Sequence, residues 1–567
     1  MPELADSGAD TRRPTVSIVR PRPHPGLSAV GDITARVSAA TNERKSEHPV
    51  TGPTLAGIVR RLASERADHP YLRFEGRSTN YAELGERTDR VAAGLTAAGV
   101  GPGDRVAVLS KNHPAILEML YGAAKCGAVC LPVNWRLAPP EIAYIVAHSE
   151  ASILVVGPEF VDAVAGIESE LPRVHTILVI GDSHRYRSYQ DWVDAQPAAD
   201  PGHQGGPDDV IVQMYTSGTT GLPKGVQLTN RSVLGRMGER CQFQRYDQDS
   251  VNLVAMPLFH IGGLGAALLG LYPGATTVLL PEVDLVRIAR IIPEMHVTNV
   301  FLVPAVIQFL LQSPGAADAD WSSLRAILYG ASPIPETVLR AAMDQFNCDF
   351  IHLYGITECS GTVTQLESRY HDPEHRPELL RSCGRPFPWN ELLVVDPDTG
   401  ERCKDGQVGE ILVRSSQNML GYWRQPAETQ ATFTEDGFFR TGDAGYVEDG
   451  FLYLHDRIKD MIVSGGENIY PAEIENVLAK HPAVADVAVI GVPHTRWGET
   501  PKALVVPDAE HRVDEAELIA FCRQHLAGYK CPTSVDTVTE LPRNPSGKLL
   551  KRQMREPYWA GVGRRIN

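Results

Sequence analysis

The chain has 567 residues, a formal net charge of −15 and 43% hydrophobic residues. That length exceeds what a single core sustains, so at least two domains are expected. The acidic balance excludes nucleic acid as the main partner, because surfaces that bind polyanions are basic. A nucleotide is not excluded, since it needs only local positive charge.

Residues 1–50 carry Pro14, Pro21, Pro23 and Pro25, mixed charge and no sustained apolar period, and read as a disordered arm. A helical pattern starts near Leu55, and a second spans Tyr81 to Ala98 before Gly99. Val106–Leu109 follows as a buried strand, then a helix over Ile116–Cys126 and a strand over Ala128–Leu131. This β–α–β rhythm recurs over 152–181 and 276–329 and predicts parallel sheets covered by helices. From Ser250 to Pro281 there is no Asp, Glu, Lys or Arg. Pro257, His260, Pro273 and several glycines interrupt it, so it reads as a buried strand, loop and helix, not a membrane span.

Around 384–455 short strands split by turns, such as Leu392–Val395 before Pro397-Asp398-Thr399-Gly400, predict an antiparallel, barrel-like subdomain. A boundary is expected at Asp456–Asp460. Beyond it a helix (471–480), strands (484–490 and 502–506) and a helix (515–526) predict an α+β module of ordinary domain size. The fold class is therefore α/β. A large domain over 51–456 combines parallel sheets with a small β-barrel-like subdomain, and a smaller, mobile α+β domain occupies 457–567.

Nine cysteines are scattered without a C-x-x-C pair, and no signal peptide is read at the start. Reduced packing thiols in a cytoplasmic protein are the expectation. His371 and His375 flank Asp372 and Glu374 among prolines, a pattern better suited to a solvated loop than a metal site.

The most informative run is Tyr215-Thr216-Ser217-Gly218-Thr219-Thr220-Gly221-Leu222-Pro223-Lys224-Gly225. Small residues let backbone N–H groups approach an anion, hydroxyls add neutral donors, and Lys224 adds a charge. Such a loop suits polyphosphate, although it is not a Walker A sequence. Further on stand Tyr354-Gly355-Ile356-Thr357-Glu358, then Arg440-Thr441-Gly442-Asp443, then Asp456-Arg457-Ile458-Lys459-Asp460. Gly465-Gly466-Glu467-Asn468 and Pro545-Ser546-Gly547-Lys548 complete the series.

This ordered set, over about 50–560, resembles the acyl-adenylate-forming enzymes, and within them the bacterial fatty-acyl-CoA synthetases and related ligases. The resemblance implies two steps. A carboxylate displaces pyrophosphate from ATP, and a thiol, coenzyme A, then displaces AMP. It implies that Lys548 bridges carboxylate and α-phosphate, that Thr357 lies near the α-phosphate, and that Glu358 holds Mg²⁺. Thr216, Ser217, Gly218, Thr219, Thr220 and Lys224 would cradle the phosphates. Tyr354 with Gly355 would lie against adenine opposite Gly330, Ala331 and Ser332, with Asp443 on the ribose and Arg457 on ribose or phosphates. Lys459 stands at the family's hinge. Gly465 and Gly466 would border the pantetheine arm, and Trp497 and Lys530 the nucleotide end of CoA. His260 resembles the aromatic gate beside a carboxylate pocket lined by Gly263, Leu264, Val303 and Ile356.

The first expectation is thus an AMP-forming acyl-CoA synthetase for a hydrophobic, fatty-type carboxylate. It acts on small molecules without nucleic acid or a transmembrane segment, and a homodimer is an allowed assembly. An aryl or specialised-metabolite ligase is the alternative. Adenylation with a carrier protein or amine as acceptor, or of a small anion such as nitrite, also fits the motifs. A degenerate nucleotide-binding regulator is disfavoured, because Lys224, Glu358, Asp443 and Lys548 are all present.

Overall fold

The computed structural model describes residues 52–560, apart from 217–221, 333, 398, 458–459, 465–466, 495–496, 510, 527 and 544–548. Two large sheets and two smaller ones account for its strands. The first is eight-stranded. Its centre, Val129–Val133, Arg105–Leu109 and Ala151–Val156, is parallel, and Arg105–Leu109 is buried along its whole length. Such apolar runs suit strands covered on both faces. Helix Pro114–Cys126 covers this sheet, and helix Tyr81–Ala97 packs on that helix. The latter starts in a capping box, in which the Asn80 side chain accepts from Glu83 N–H at 2.8 Å and Glu83 accepts from Asn80 N–H at 2.9 Å.

At one edge of this sheet the direction reverses. Val210–Thr216 pairs antiparallel with Lys224–Thr229, which in turn pairs with Gly421–Tyr422. Thr216 stands opposite Lys224 in register, so the Gly/Thr run connects two paired strands.

The second sheet has nine strands. Thr276–Leu279, Val251–Val254, Asn299–Leu302, Ala326–Gly330 and Asp349–Tyr354 lie side by side and parallel. Their carboxyl ends therefore share one rim, the usual place for ligands in an open α/β sheet. The charge-free stretch is Val251–Val254, helix Ile261–Leu271 and Thr276–Leu279, as the sequence suggested. No helix among the described residues is long and apolar enough to cross a membrane.

The antiparallel region forms a four-stranded sheet in the order Glu391–Val395, Gly409–Arg414, Phe439–Glu448, Phe451–Arg457. Among the described strands it is a sheet with two edges and not a closed barrel. The C-terminal α+β part sets Val484–His494 against Gly498–Pro507, with helices Pro471–Leu478 and Glu515–His525 closing its core of Ile474, Leu478, Val489, Val505 and Leu518. All nine cysteines are free, and none is fully exposed.

Candidate active site

Four neighbouring parallel strands deliver candidate residues to the same rim. Val254 leads into Pro257–His260, and Leu302 into Val303, the cap of helix Pro304–Gln312. Gly330 ends one strand and Tyr354 the next. Gly330 has to be glycine, because a Cβ there would lie 2.1 Å from the Leu353 carbonyl oxygen. Ala331, the next residue, has φ +69°, a left-handed conformation that costs an alanine energy and is held by its surroundings. Ala331 is exposed and Ser332 half-exposed, so this shelf is open to a ligand.

Tyr354 is buried, and its hydroxyl donates to Asp443 Oδ2 at 2.9 Å. Burial and the Asp443 charge push the phenol well above its ordinary pKa, so it stays a donor. Asp443 sits in the strand Phe439–Glu448, its N–H donating to Thr441 Oγ1 at 3.1 Å. The bond between Tyr354 and Asp443 ties the nine-stranded sheet to the antiparallel one. Arg457 lies opposite Asp443 in the ladder.

Thr357 and Glu358 form a single 3₁₀ turn after Ile356. Glu358 accepts a hydrogen bond from Tyr422 Oη at 3.1 Å, and its backbone carbonyl accepts from Met419 N–H at 2.7 Å. Tyr422 also presents its ring face to Lys224, whose Nζ lies 5.1 Å from the centroid. Lys224 is further paired with Glu428. The lysine of the phosphate run and the glutamate of the metal motif thus meet on one tyrosine. Neither Tyr422 nor Glu428 is singled out by the sequence, because no motif surrounds them.

His260 stands at the start of helix Ile261–Leu271, its ring 4.5 Å from that of Phe259. Its Nε2 is buried without a hydrogen-bond partner. Desolvation, helped by Arg136, lowers its pKa to about 4, so the imidazole is neutral at physiological pH. Of the expected pocket residues, Leu264 and Val303 are buried and Ile356 half-buried. At Gly263, expected to line the pocket, a Cβ would meet the Pro257 carbonyl oxygen at 2.2 Å. Close backbone packing thus requires a glycine at this position.

One further expectation changes. His371 is not on a solvated loop: it is buried, Nε2 lying 3.0 Å from Tyr329 Oη and Nδ1 3.1 Å from the Glu367 carbonyl. Only His375 is exposed, beside Asp372. No group of three or more His, Cys, Asp or Glu fit to hold a metal occurs among the described residues. Lys530 is engaged by both oxygens of Glu473, at 2.7 and 2.8 Å, which competes with its expected contact to CoA. Trp497 is 43% exposed. Ser217, Gly218, Thr219, Thr220, Lys459, Gly465, Gly466 and Lys548 lie outside the described residues, as does the side chain of Arg457.

An open cleft of about 740 Å³, lined by Arg245, Asp247, Arg325 and Asp349 among others, lies at the opposite, amino ends of the strands. Its arginines are already paired, Arg245 with Asp349 and Arg325 with Asp247. The chemistry-bearing residues are at the other rim.

Residues 59–423 match the family described as AMP-binding enzyme, and 473–548 match the AMP-binding enzyme C-terminal domain. The chain is 38% identical over 525 residues to the fatty acid–[acyl-carrier-protein] ligase ScoC of Streptomyces coeruleorubidus, covering 91% of this chain and 99% of that protein. It is 41% identical over 490 residues to a feruloyl-CoA synthase of an Amycolatopsis species, covering 86% and 95% respectively. Among solved structures, ATP-bound MatB from Rhodopseudomonas palustris superposes with a TM-score of 0.81 at 30% identity, covering 90% of this chain and all of that one. The motifs, the shared rim and these likenesses agree: the chain belongs to the AMP-binding, acyl-adenylate-forming family of acid–thiol ligases.

Proposed function

We propose that this protein activates a hydrophobic carboxylic acid with ATP, as an acyl-adenylate, and passes the acyl group to coenzyme A. The observation that carries this reading is the meeting of Lys224 and Glu358 on Tyr422, beside the Gly330–Tyr354–Asp443 shelf. Attack of one anion on another needs cations and fixed donors around the phosphorus. Lys224 supplies charge to the phosphates, Asp443 accepts from the ribose, and Lys548 joins carboxylate to α-phosphate in the transition state. Glu358, with the Thr357 hydroxyl beside it, suits Mg²⁺, which takes few protein oxygens and completes its shell with phosphate and water. That ion would neutralise charge on the pyrophosphate as it leaves.

Neutral His260 and the apolar Leu264, Val303 and Ile356 border the carboxylate pocket. In the second step the segment after Asp456 turns about Lys459 and brings Gly465-Gly466 to the acyl carbon, since one pose cannot serve both steps. Reduced cysteines fit a cytosolic setting. A second reading has an acyl-carrier-protein thiol as acceptor, and the 38% likeness to a fatty acid–carrier-protein ligase favours it.

Pyrophosphate release across fatty, aryl and amino acids, with and without CoA, tests the proposal. Release stimulated by an apolar acid, with CoA consumed, is the expected result. Release without CoA consumption, but with acylation of a carrier-protein thiol, selects the second reading. Silence with every acid refutes both.

A further inference from the structure

Arg240 is 4% exposed, in the helix Met237–Phe243. Its Nη2 donates to Thr362 Oγ1 at 3.2 Å, and its Nε is buried without a partner. Among the described residues no carboxylate pairs with it, and burial lowers its pKa to about 10. An uncompensated cation in the interior is costly, and removing it would ordinarily stabilise a fold. Nearby polar groups do not relieve it. Both side-chain polar atoms of Gln244 and the Oε1 of Gln365 are also buried and unpartnered.

The guanidinium reaches toward the functional rim. Thr364 lies opposite Tyr354 in the ladder, so Thr362 stands beyond the carboxyl end of that strand. Gly361, beside Thr362, faces the Ile261 side chain, which directly follows His260. Gly355 lies against the Gly361 carbonyl. Arg240 therefore backs the wall that the His260–Ile261 and Gly361–Thr362 segments form together. Among the described residues two buried nitrogens lack partners here: His260 Nε2, on the residue before Ile261, and Arg240 Nε, on the side chain bonded to Thr362.

We infer that Arg240 is a specificity-determining residue. It donates to an acceptor oxygen carried by the acid far from its reacting carboxylate, such as a hydroxyl, carbonyl or second carboxylate oxygen. The inference rests on the carboxylate-activating reading above and sharpens its substrate class from plainly apolar to apolar with one remote oxygen. A ligand oxygen would supply the acceptor that Arg240 Nε lacks among the described residues. A plain hydrocarbon tail would leave the cation desolvated and unpaired, and sites with buried donors reject analogues lacking the acceptor.

The test compares kcat/KM for pyrophosphate release within two pairs: octanoate against its omega-hydroxy derivative, and cinnamate against para-hydroxycinnamate. In the wild-type protein the oxygen-bearing member of at least one pair should lead by about tenfold or more. Arg240→Met should bring that ratio to near one, and Arg240→Lys, which keeps charge but loses the planar fork, should fall between. A wild-type ratio near one in both pairs, with robust turnover, overturns the inference and leaves the adenylation reading standing. So does an Arg240→Met variant that slows both members equally, which marks Arg240 as structural. No release with any acid overturns the adenylation reading and this inference with it. Should Arg240→Met fail to fold, Arg240→Lys carries the attribution to this residue, and a wild-type ratio near one overturns the inference without either variant.

Discussion

Tyr354 and Asp443, 89 residues apart, are joined by a 2.9 Å hydrogen bond between the phenol and one carboxylate oxygen. The motifs assign them to the nucleotide separately, one on adenine and one on ribose. The bond couples those roles, since the tyrosine holds the carboxylate in place and the carboxylate orients the ring.

Asp443→Ala should therefore do two things at once. ATP affinity should fall by about tenfold to a hundredfold, the cost of losing a charged acceptor for ribose hydroxyls. Thermal stability should also drop, because the buried Tyr354 hydroxyl loses its acceptor. Tyr354→Phe should cost only about 1 kcal/mol of stability and keep discrimination between ATP and its 2′-deoxy analogue. Equal binding of the two nucleotides by wild-type protein would remove Asp443 from the ribose.

Glu428→Gln tests what the Lys224 ion pair does. Glu428 is about half exposed while the Lys224 side chain is 12% exposed, so the pair is partly screened and worth at most about 1 kcal/mol. If Glu428 competes with phosphate for the lysine, its neutralisation should lower KM for ATP by up to about fivefold. A raised KM would instead mean that Glu428 aims the lysine. Repeating the titration at high salt checks that the effect is electrostatic, because screening weakens this pair and should shrink the difference between variant and wild type.

The parts of the site that were legible in the sequence are those whose chemistry demands rare residue combinations. Gly330, Tyr354-Gly355, Thr357-Glu358 and Asp443 all lie at or beside the functional rim. Strands such as Arg105–Leu109 were legible because two covered faces make a continuous apolar run. What could not be read was pairing across distance. Lys224 and Glu428 are 204 residues apart, and Tyr422 and Glu358 are 64 apart. His371 looked solvated because prolines and acids surround it, yet Tyr329, from a buried strand, packs on it and bonds to it. Nothing local marks Glu473 as a partner of Lys530, which the resemblance places near the nucleotide end of CoA. Nor could the sequence show that the carbonyl groups of Met256 and Pro257 press on Gly263 and leave no room for a Cβ.

His260 provides a pH test with a defined sign. An unfolded histidine titrates near about 6.5, whereas His260 in the fold titrates at about 4. Between those values the unfolded chain binds a proton that the native site refuses, so the histidine makes stability fall as pH drops from about 6.5 to about 4. Above about 6.5 it contributes nothing. Other buried histidines, His371 among them, act in the same sense, so the wild-type slope alone is not diagnostic. Urea midpoints for wild type and His260→Asn should converge toward acid from an offset at neutral pH. Parallel midpoints across that range would show that His260 titrates normally.

Lys548→Ala should abolish acyl-adenylate formation while leaving ATP affinity nearly intact. A charge that bridges carboxylate and α-phosphate acts mainly when the two anions are pressed together, so its loss lowers the rate and not ground-state binding. Thioester formation from pre-made acyl-adenylate should survive in the same variant, if the Gly465-Gly466 segment serves that step as proposed. Lys224→Ala gives the contrast: it should raise KM for ATP, since Lys224 stands at the end of the phosphate run opposite Thr216. Pyrophosphate exchange, nucleotide binding and thioester formation measured on both variants separate the two lysines. Near-normal exchange in Lys548→Ala would remove it from the first transition state. Equal loss of both half-reactions would mean that the C-terminal lysine supports the fold of its domain and takes no direct part in the chemistry.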